Sequence, residues 1–184
     1  MLIEEKTIHS EMIFQGKMIN LRVDTVQLPD EKVATREIIE HPGAVAIIPI
    51  TSDNKIIMVR QYRKPVEDFL LEIPAGKLEY NEKTELCARR ELEEETGYSA
   101  ERMEYLFSFY STPGFSNEIM HLFIAQKLIQ GETKPDEDEY LSIECYSLNE
   151  LLEMIFNGRI KDSKTIIGIL AAKEHLTKMI MVDK

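Results

Sequence analysis

Two stretches near the start of the chain, TIHSEMIFQ and INLRVDTVQL, alternate apolar and polar residues on either side of Gly16-Lys17. Period-two alternation around a turn predicts a pair of antiparallel strands. In the second stretch Ile19, Leu21, Val23 and Thr25 fall on one face, and Arg22 and Asp24 on the other. VATREIIEH reads as a third strand. AVAIIPI drops the alternation and is apolar almost throughout, as expected of a strand covered on both faces. TSDN supplies a turn, so KIIMVRQYR is expected to pair back on that strand. FLLEIPAG is a short strand ending at Pro74.

The pattern then turns helical. Asn81 stands where an N-cap belongs and Gly97 where a C-terminal cap belongs, which predicts a helix over residues 82–96. MEYLFSFYST and EIMHLFIAQKL are strands separated by PGFSN, GETKPDEDE is a polar loop, and YLSIECYSL is a last strand. Ser147–Glu150 form a capping box opening LLEMIF, which Gly158 stops, and a final helix runs from about Ser163 to Lys178. Strands flanked by a few helices, without regular βαβ alternation, predict an α+β or α/β sandwich around a mixed sheet.

Charge narrows the partners. Lys and Arg number 22 against 33 Asp and Glu, a net charge of −11 in 184 residues. A chain this acidic is repelled by a nucleic-acid backbone and by an anionic membrane surface, so neither is expected as a partner. The N-terminus, MLIEEKTIHSEMIF, carries acids where a signal peptide carries basic residues, and no stretch approaches the ~18 apolar residues of a membrane span. Cys87 and Cys145 form no CxxC and no disulfide framework, so both read as reduced core residues of a cytoplasmic protein. His9, His41, His121 and His175 show no ligand spacing, and the nine methionines read as packing.

The chemistry concentrates in EIPAGKLEYNEKTELCARRELEEETGY, residues 72–98. At about 100° per residue, Glu91, Glu94 and Glu95 lie within roughly a 100° arc of one helix face, with Arg90 beside it and Glu82 on the far side. Like charges spaced i,i+4 destabilise a helix by about 0.2–0.5 kcal/mol each, a cost that a bound divalent cation offsets. Carboxylates with water are the ligand set of Mg²⁺ or Mn²⁺. Taken alone, the same run also describes a solvated helix face. Its frame decides between them: Gly76, five residues, Glu82, seven residues, then Arg90-Glu91-Leu92-x-Glu94-Glu95-x-Gly97-Tyr98 resembles the signature box of the Nudix hydrolases.

That resemblance extends from about Thr35 to Ala171. It implies the Nudix fold, a mixed β-sheet sandwiched between helices, as a domain over residues 41–184. Residues 1–40 then form a small antiparallel β extension through which such pyrophosphatases dimerise. It also implies hydrolysis of a nucleoside diphosphate linked to another group. Glu91, Glu94 and Glu95 match the ligands of Mg²⁺ or Mn²⁺, with the Ala75 carbonyl as an extra ligand and Glu95 also in a catalytic role. Glu82 and Arg90 match bracing residues, and Leu86, Ala88 and Leu92 the core.

Four further stretches resemble the ADP-ribose pyrophosphatases of this family and imply a small nucleotide-sugar substrate. In YSTPGFSNE, Pro113 and Gly114 match that subfamily's loop, and Glu118 the acid that binds the terminal ribose; Pro113-Gly114 is equally a simple turn. In VRQYR, Arg63 at the strand end matches a phosphate- or adenine-binding residue, whereas Arg60 is either a second contact or a surface ion pair. Arg36 matches an arginine donated across a dimer interface. In PDEDE, Glu137 matches the catalytic base, with Glu139 as the second candidate or a further metal contact, and the composition alone equally fits a solvated loop. Phe14 is the candidate for stacking on adenine. Other activities consistent with the box are hydrolysis of another sugar nucleotide such as GDP-mannose, or nucleotide sensing without hydrolysis.

Overall fold

A computed structural model describes residues 4–132 and 140–182, with side chains described through residue 177. The chain divides into two compact units, one taking the N-terminal region up to Gly43 together with Phe109–Ile119, the other taking Ala44–Ser108 and the chain from Met120 onward.

The first unit is a three-stranded antiparallel sheet in the order β1 (Lys6–Gln15), β2 (Asn20–Gln27), β3 (Val33–Glu40). The Gly16 amide donates to the Ile19 carbonyl at 3.0 Å and closes the first turn. The face of β2 that carries Arg22 and Asp24 is the more deeply buried one at the end of the strand. Asp24 is 4% exposed and Val26 is buried, while Leu21 and Val23 are only half-buried. The Asp24 carboxylate is tolerated there because Ser10 Oγ donates to it at 2.7 Å and Arg22 lies 3.3 Å away. β1 is exposed along its whole length, including Ile8, Met12, Ile13 and Phe14. The segment Phe109–Ile119 is stitched to β3 by Ile39 N–H to Phe115 O at 2.8 Å and Asn117 N–H to Ile39 O at 3.2 Å.

In the second unit, β4 (Ala44–Pro49) is the central strand. It pairs antiparallel with β7 (Ala75–Lys77) and parallel with β9 (Ile119–Gln130), whose other neighbour is β8 (Tyr98–Tyr110). The sheet is therefore mixed. The expected hairpin between AVAIIPI and KIIMVRQYR does not form. β5 (Lys55–Arg63) is linked to the residue after β4 by an Ile50–Ile56 bridge and instead pairs with β6 (Asp68–Glu72) and β10 (Leu141–Ser147) in a second sheet. Pro74 ends one strand as expected, but the chain resumes pairing at once as β7, which periodicity over three residues could not reveal.

Among the described residues three helices cover the mixed sheet and its neighbour: α1 (Thr84–Thr96), α2 (Leu148–Phe156) and α3 (Ser163–Val182). Val45 and Ile47 of β4 pack with Cys87, Ala88 and Leu92 of α1. On the other side Ile48 and Leu122 approach Gly168 of α3, where a Cβ would sit 3.5 and 3.6 Å from them. Helices on both faces explain why AVAIIPI lacks alternation. Gly97 ends α1 in the left-handed region at φ 71°, as its position predicts, but Asn81 is not the N-cap. α1 starts after Lys83, and Asn81 takes a left-handed turn conformation at φ 61° instead. Leu86 is 58% exposed, not core, and Cys145 is exposed while Cys87 is buried. The Ser147–Glu150 capping box is present, with both reciprocal hydrogen bonds. Among the described residues no helix is long and apolar enough to cross a membrane.

Candidate active site

The site is built where α1 crosses β7. Leu92, Ala88 and Cys87 hold one stripe of the helix against β4, and Glu91 and Glu95 lie toward the strand preceding the helix. Glu91 and Glu95 are buried, Glu95 to 3% exposure, while Glu94 is half-buried and Glu93 exposed. Ionised side chains are seldom buried without partners. The Ala75 N–H donates to Glu95 Oε2 at 3.1 Å. Glu91 lies against Gly76 so closely that a Cβ there would fall 1.9 Å from its carboxyl carbon. Only a residue without a side chain lets that carboxylate approach the backbone.

Arg90 gathers the acids. Its Nη1 donates to both Glu91 Oε1 at 2.7 Å and Glu94 Oε2 at 2.9 Å, while Nε and Nη2 each reach Glu82 at 3.1 Å. Hydrogen bonds from Arg90, opposed by partial desolvation, hold the Glu82 carboxyl down at about 2. The same Glu82 contact heads the causes that raise the guanidinium above its usual range. Glu82 Oε2 also accepts from Glu79 N–H at 3.0 Å, fixing the loop before α1. Glu82 and Arg90 thus brace the cluster, as expected. Burial, then the neighbouring Glu82, push the Cys87 thiol up, which makes it unreactive.

A second group lies at the end of β5. Arg63 Nε and Nη2 donate to the two oxygens of Glu72 at 2.9 and 2.8 Å, and Glu72 is 1% exposed. Lys164, from the first turn of α3, also pairs with Glu72 and lies 3.1 Å from Asp162. Burial opposes ionisation of Glu72, yet the Arg63 hydrogen bond and the Lys164 and Arg63 charges outweigh it and hold the carboxyl at about 2. Glu72, Lys164 and Asp162 were not anticipated. The available signal was one carboxylate inside the apolar run FLLEIP, since a lone charge in a buried strand needs a partner.

Arg60 points to the opposite face of β5. Its Nε donates to Glu144 Oε1 at 2.6 Å, and Tyr146 also donates to Glu144. This is the ion-pair alternative for Arg60.

In the first unit, Arg36 makes a bidentate pair with Glu5. Glu118 accepts from Ser111 Oγ, and its Oε1 lies 3.6 Å from His41 Nδ1. His41 Nδ1 accepts from the Gly43 N–H at 3.1 Å, and the His41 N–H donates to Asn117 at 2.8 Å. His41 and Asn117 thus hold the ends of this segment together, contacts that a lone His in the sequence does not signal. Pro113 and Gly114 are exposed in a turn closed by Thr112 O, and no atom lies within 4 Å of a Cβ placed on Gly114. Phe14 is exposed on β1. Glu137 and Glu139 lie outside the described residues.

The carboxylates of α1, with the carbonyl of Ala75, whose N–H holds Glu95, offer an all-oxygen donor set of the kind that hard divalent cations take. Gly76 lets the Glu91 carboxylate lie directly against the backbone beside Ala75. Among the described residues no three acidic, His or Cys side chains already converge on one cation-sized point.

Comparison with known proteins agrees with the geometry. The Nucleoside diphosphate sugar hydrolase N-terminal domain matches residues 5–39. The chain is 52% identical over 170 residues to the methanol dehydrogenase activator of Bacillus methanolicus, covering 91% of this chain and 92% of that protein. It is 47% identical over 178 residues to the ADP-ribose pyrophosphatase of Bacillus subtilis (strain 168), covering 95% and 96%. A crystal structure of an ADP compounds hydrolase superposes with a TM-score of 0.87 over 97% of each chain at 21% identity, which supports the fold. The NUDIX domain itself matches residues 40–166, spanning both the acidic helix and Arg63, and the chain belongs to the Nudix family.

Proposed function

We propose that this protein hydrolyses the pyrophosphate bond of ADP-ribose to AMP and ribose 5-phosphate, with Mg²⁺ or Mn²⁺ held by Glu91, Glu94, Glu95 and the Ala75 carbonyl. The observation that carries the reading is the likeness to an ADP-ribose pyrophosphatase along 95% of the chain, together with an intact acidic face on α1. The cation, when bound, neutralises phosphate oxygens and lowers the pKa of water. In this reading Arg63 binds a phosphate oxygen through donors that Glu72 does not use. Glu137, or Glu139, accepts the proton lost by water as its oxygen attacks phosphorus and the bridging P–O bond breaks. Arg90 and Glu82 hold the carboxylates against their mutual repulsion.

Glu118 is proposed to bind the terminal ribose with Pro113 and Gly114 shaping its loop, Arg36 to reach a neighbouring subunit's substrate, and Phe14 to stack on adenine. Arg60 as a substrate contact is the weaker half of the VRQYR proposal, since Glu144 already engages it. Residues 1–40 are proposed as the dimerisation element, which the exposed Ile8, Met12, Ile13 and Phe14 support. A cytoplasmic location rests on two free cysteines.

The test is initial rates with ADP-ribose, GDP-mannose and NADH. A GDP-mannose rate well above the ADP-ribose rate rejects the substrate assignment, and no hydrolysis of any of the three favours a sensor. A second reading, an effect on methanol dehydrogenase, is supported by the 52% identity to its activator. Stimulation of that enzyme by wild type but not by Glu95→Gln would make the two readings one.

A further inference from the structure

Four charged groups meet at the start of α3, and Arg63 is the most exposed of them. The Arg63 side chain is 38% exposed, whereas Glu72, Lys164 and Asp162 are largely or wholly covered. Asp162 caps α3: its Oδ2 accepts from the Thr165 N–H at 2.9 Å and from Thr165 Oγ1 at 2.6 Å, and its carbonyl accepts from Ile166. The cap fixes the direction of the next two side chains. Thr165 Oγ1 then accepts from the Ile73 N–H at 3.0 Å, and Lys164 pairs with Glu72. Consecutive residues at the end of β6 are thus tied to consecutive residues of α3. Two residues further on, Ala75 N–H holds Glu95.

Burying such charges is costly, and well-packed apolar residues would stabilise the fold as well or better. What the quartet achieves is orientation. Glu72 takes Arg63 by its Nε–Nη2 edge and leaves Nη1 without a hydrogen-bond partner among the described residues. Lys164 shares Glu72 with Arg63 and also pairs with Asp162, so two cations and two carboxylates lock one edge of Arg63 in place.

We infer that Glu72 and Lys164 are positioning residues for hydrolysis: through the Asp162-capped first turn of α3 they hold Arg63 so that its free edge meets the substrate phosphate. This rests on the reading of Arg63 as a phosphate contact, and extends the working site to a helix outside the signature box.

The test is steady-state kinetics on Lys164→Met, Lys164→Arg, Glu72→Gln and Arg63→Ala, with Lys161→Met as a neighbouring exposed control. Melting temperatures check folding. Lys164→Met is expected to raise KM about tenfold, the scale of one charged hydrogen bond, with kcat changed less. Lys164→Arg restores KM, and Lys161→Met stays within about twofold. In the Arg63→Ala background Lys164→Met adds nothing, because the residue it acts through is gone; a merely structural lysine would cost the same in both backgrounds. Glu72→Gln follows Lys164→Met if it folds, and if it does not, the Lys164 series decides alone. A folded Lys164→Met with wild-type KM, or an equal effect in both backgrounds, overturns the inference. An Arg63→Ala enzyme with wild-type KM overturns it together with the phosphate-contact reading. If wild type cleaves a different sugar nucleotide, the substrate assignment falls and the same comparison runs on that compound.

Discussion

Gly76→Ala isolates the geometry of the acidic cluster. Gly76 does not occupy the left-handed region, so its backbone accepts alanine without strain. The objection comes from one place: the new Cβ would lie 1.9 Å from the Glu91 carboxyl carbon and 2.0 and 2.2 Å from its oxygens. Ordinary contact begins near 3.4 Å, so the carboxylate must retreat by about 1.5 Å. Glu91 is a flexible side chain and can swing, so the fold loses little. Overpacking costs about 1–3 kcal/mol, offset by the ~0.4–1 kcal/mol that alanine contributes by stiffening the unfolded chain. The net cost is then at most about 2.6 kcal/mol, a Tm loss of no more than about 10 °C for a chain of this size. Activity is another matter, since a displacement of about 1 Å in a reacting array costs on the order of 100-fold. The assay is AMP release at saturating Mg²⁺ beside a thermal melt, with Mn²⁺ affinity measured by electron paramagnetic resonance. Gly168→Ala is the contrast: its Cβ would meet Ile73 at 2.7 Å in a packed interface, so stability should fall without a matching loss of cation affinity. A stable Gly76→Ala protein with wild-type turnover and Mn²⁺ affinity would refute the placement of Glu91 in the chemistry.

Other outcomes follow from the same structure. Glu95→Gln should lower turnover by several orders of magnitude while ADP-ribose binding persists in calorimetry; unchanged turnover rejects the metal-site assignment. The Glu72 carboxyl sits at about 2, below its ordinary 4.5, so its contribution is complete above pH 4.5 and drains away as pH falls toward 2. That amounts to roughly 3 kcal/mol, visible as a falling urea midpoint in wild type, with a flatter acid limb in Glu72→Gln. Ser147→Ala removes the α2 cap and should cost about 1 kcal/mol in a denaturant melt, leaving KM unchanged.

Strong local signals carried much of the fold. The apolar run of β4, the Gly97 stop and the Ser147–Glu150 box each express a rule satisfied within a few residues. Where tertiary partners decide, the sequence was silent or misleading. Asp24 is buried because Ser10 and Arg22 satisfy it from elsewhere in its sheet. β5 leaves β4 because β6 and β10 offer it a longer ladder than one bridge. Leu86 has a core-like identity but faces solvent, since the stripe of α1 that meets β4 passes through Cys87, Ala88 and Leu92. Within the site, the spacing of the box located the acids and their brace. It could not locate Lys164, which lies 92 residues from the carboxylate it pairs with.

The parallel register of β4 with β9 also dictates when the site can exist. Ala44 pairs with Met120, so about 75 residues must be looped before the ladder closes, and pairings this distant form slowly. Leu92 packs in one cluster with Phe123 and Ala125, both on β9. During synthesis α1 therefore emerges with its apolar stripe missing part of its cover, and gains it only once β9 has been made. A nascent chain ending before Phe123 holds the entire signature box but lacks the strand that completes the cover of its helix.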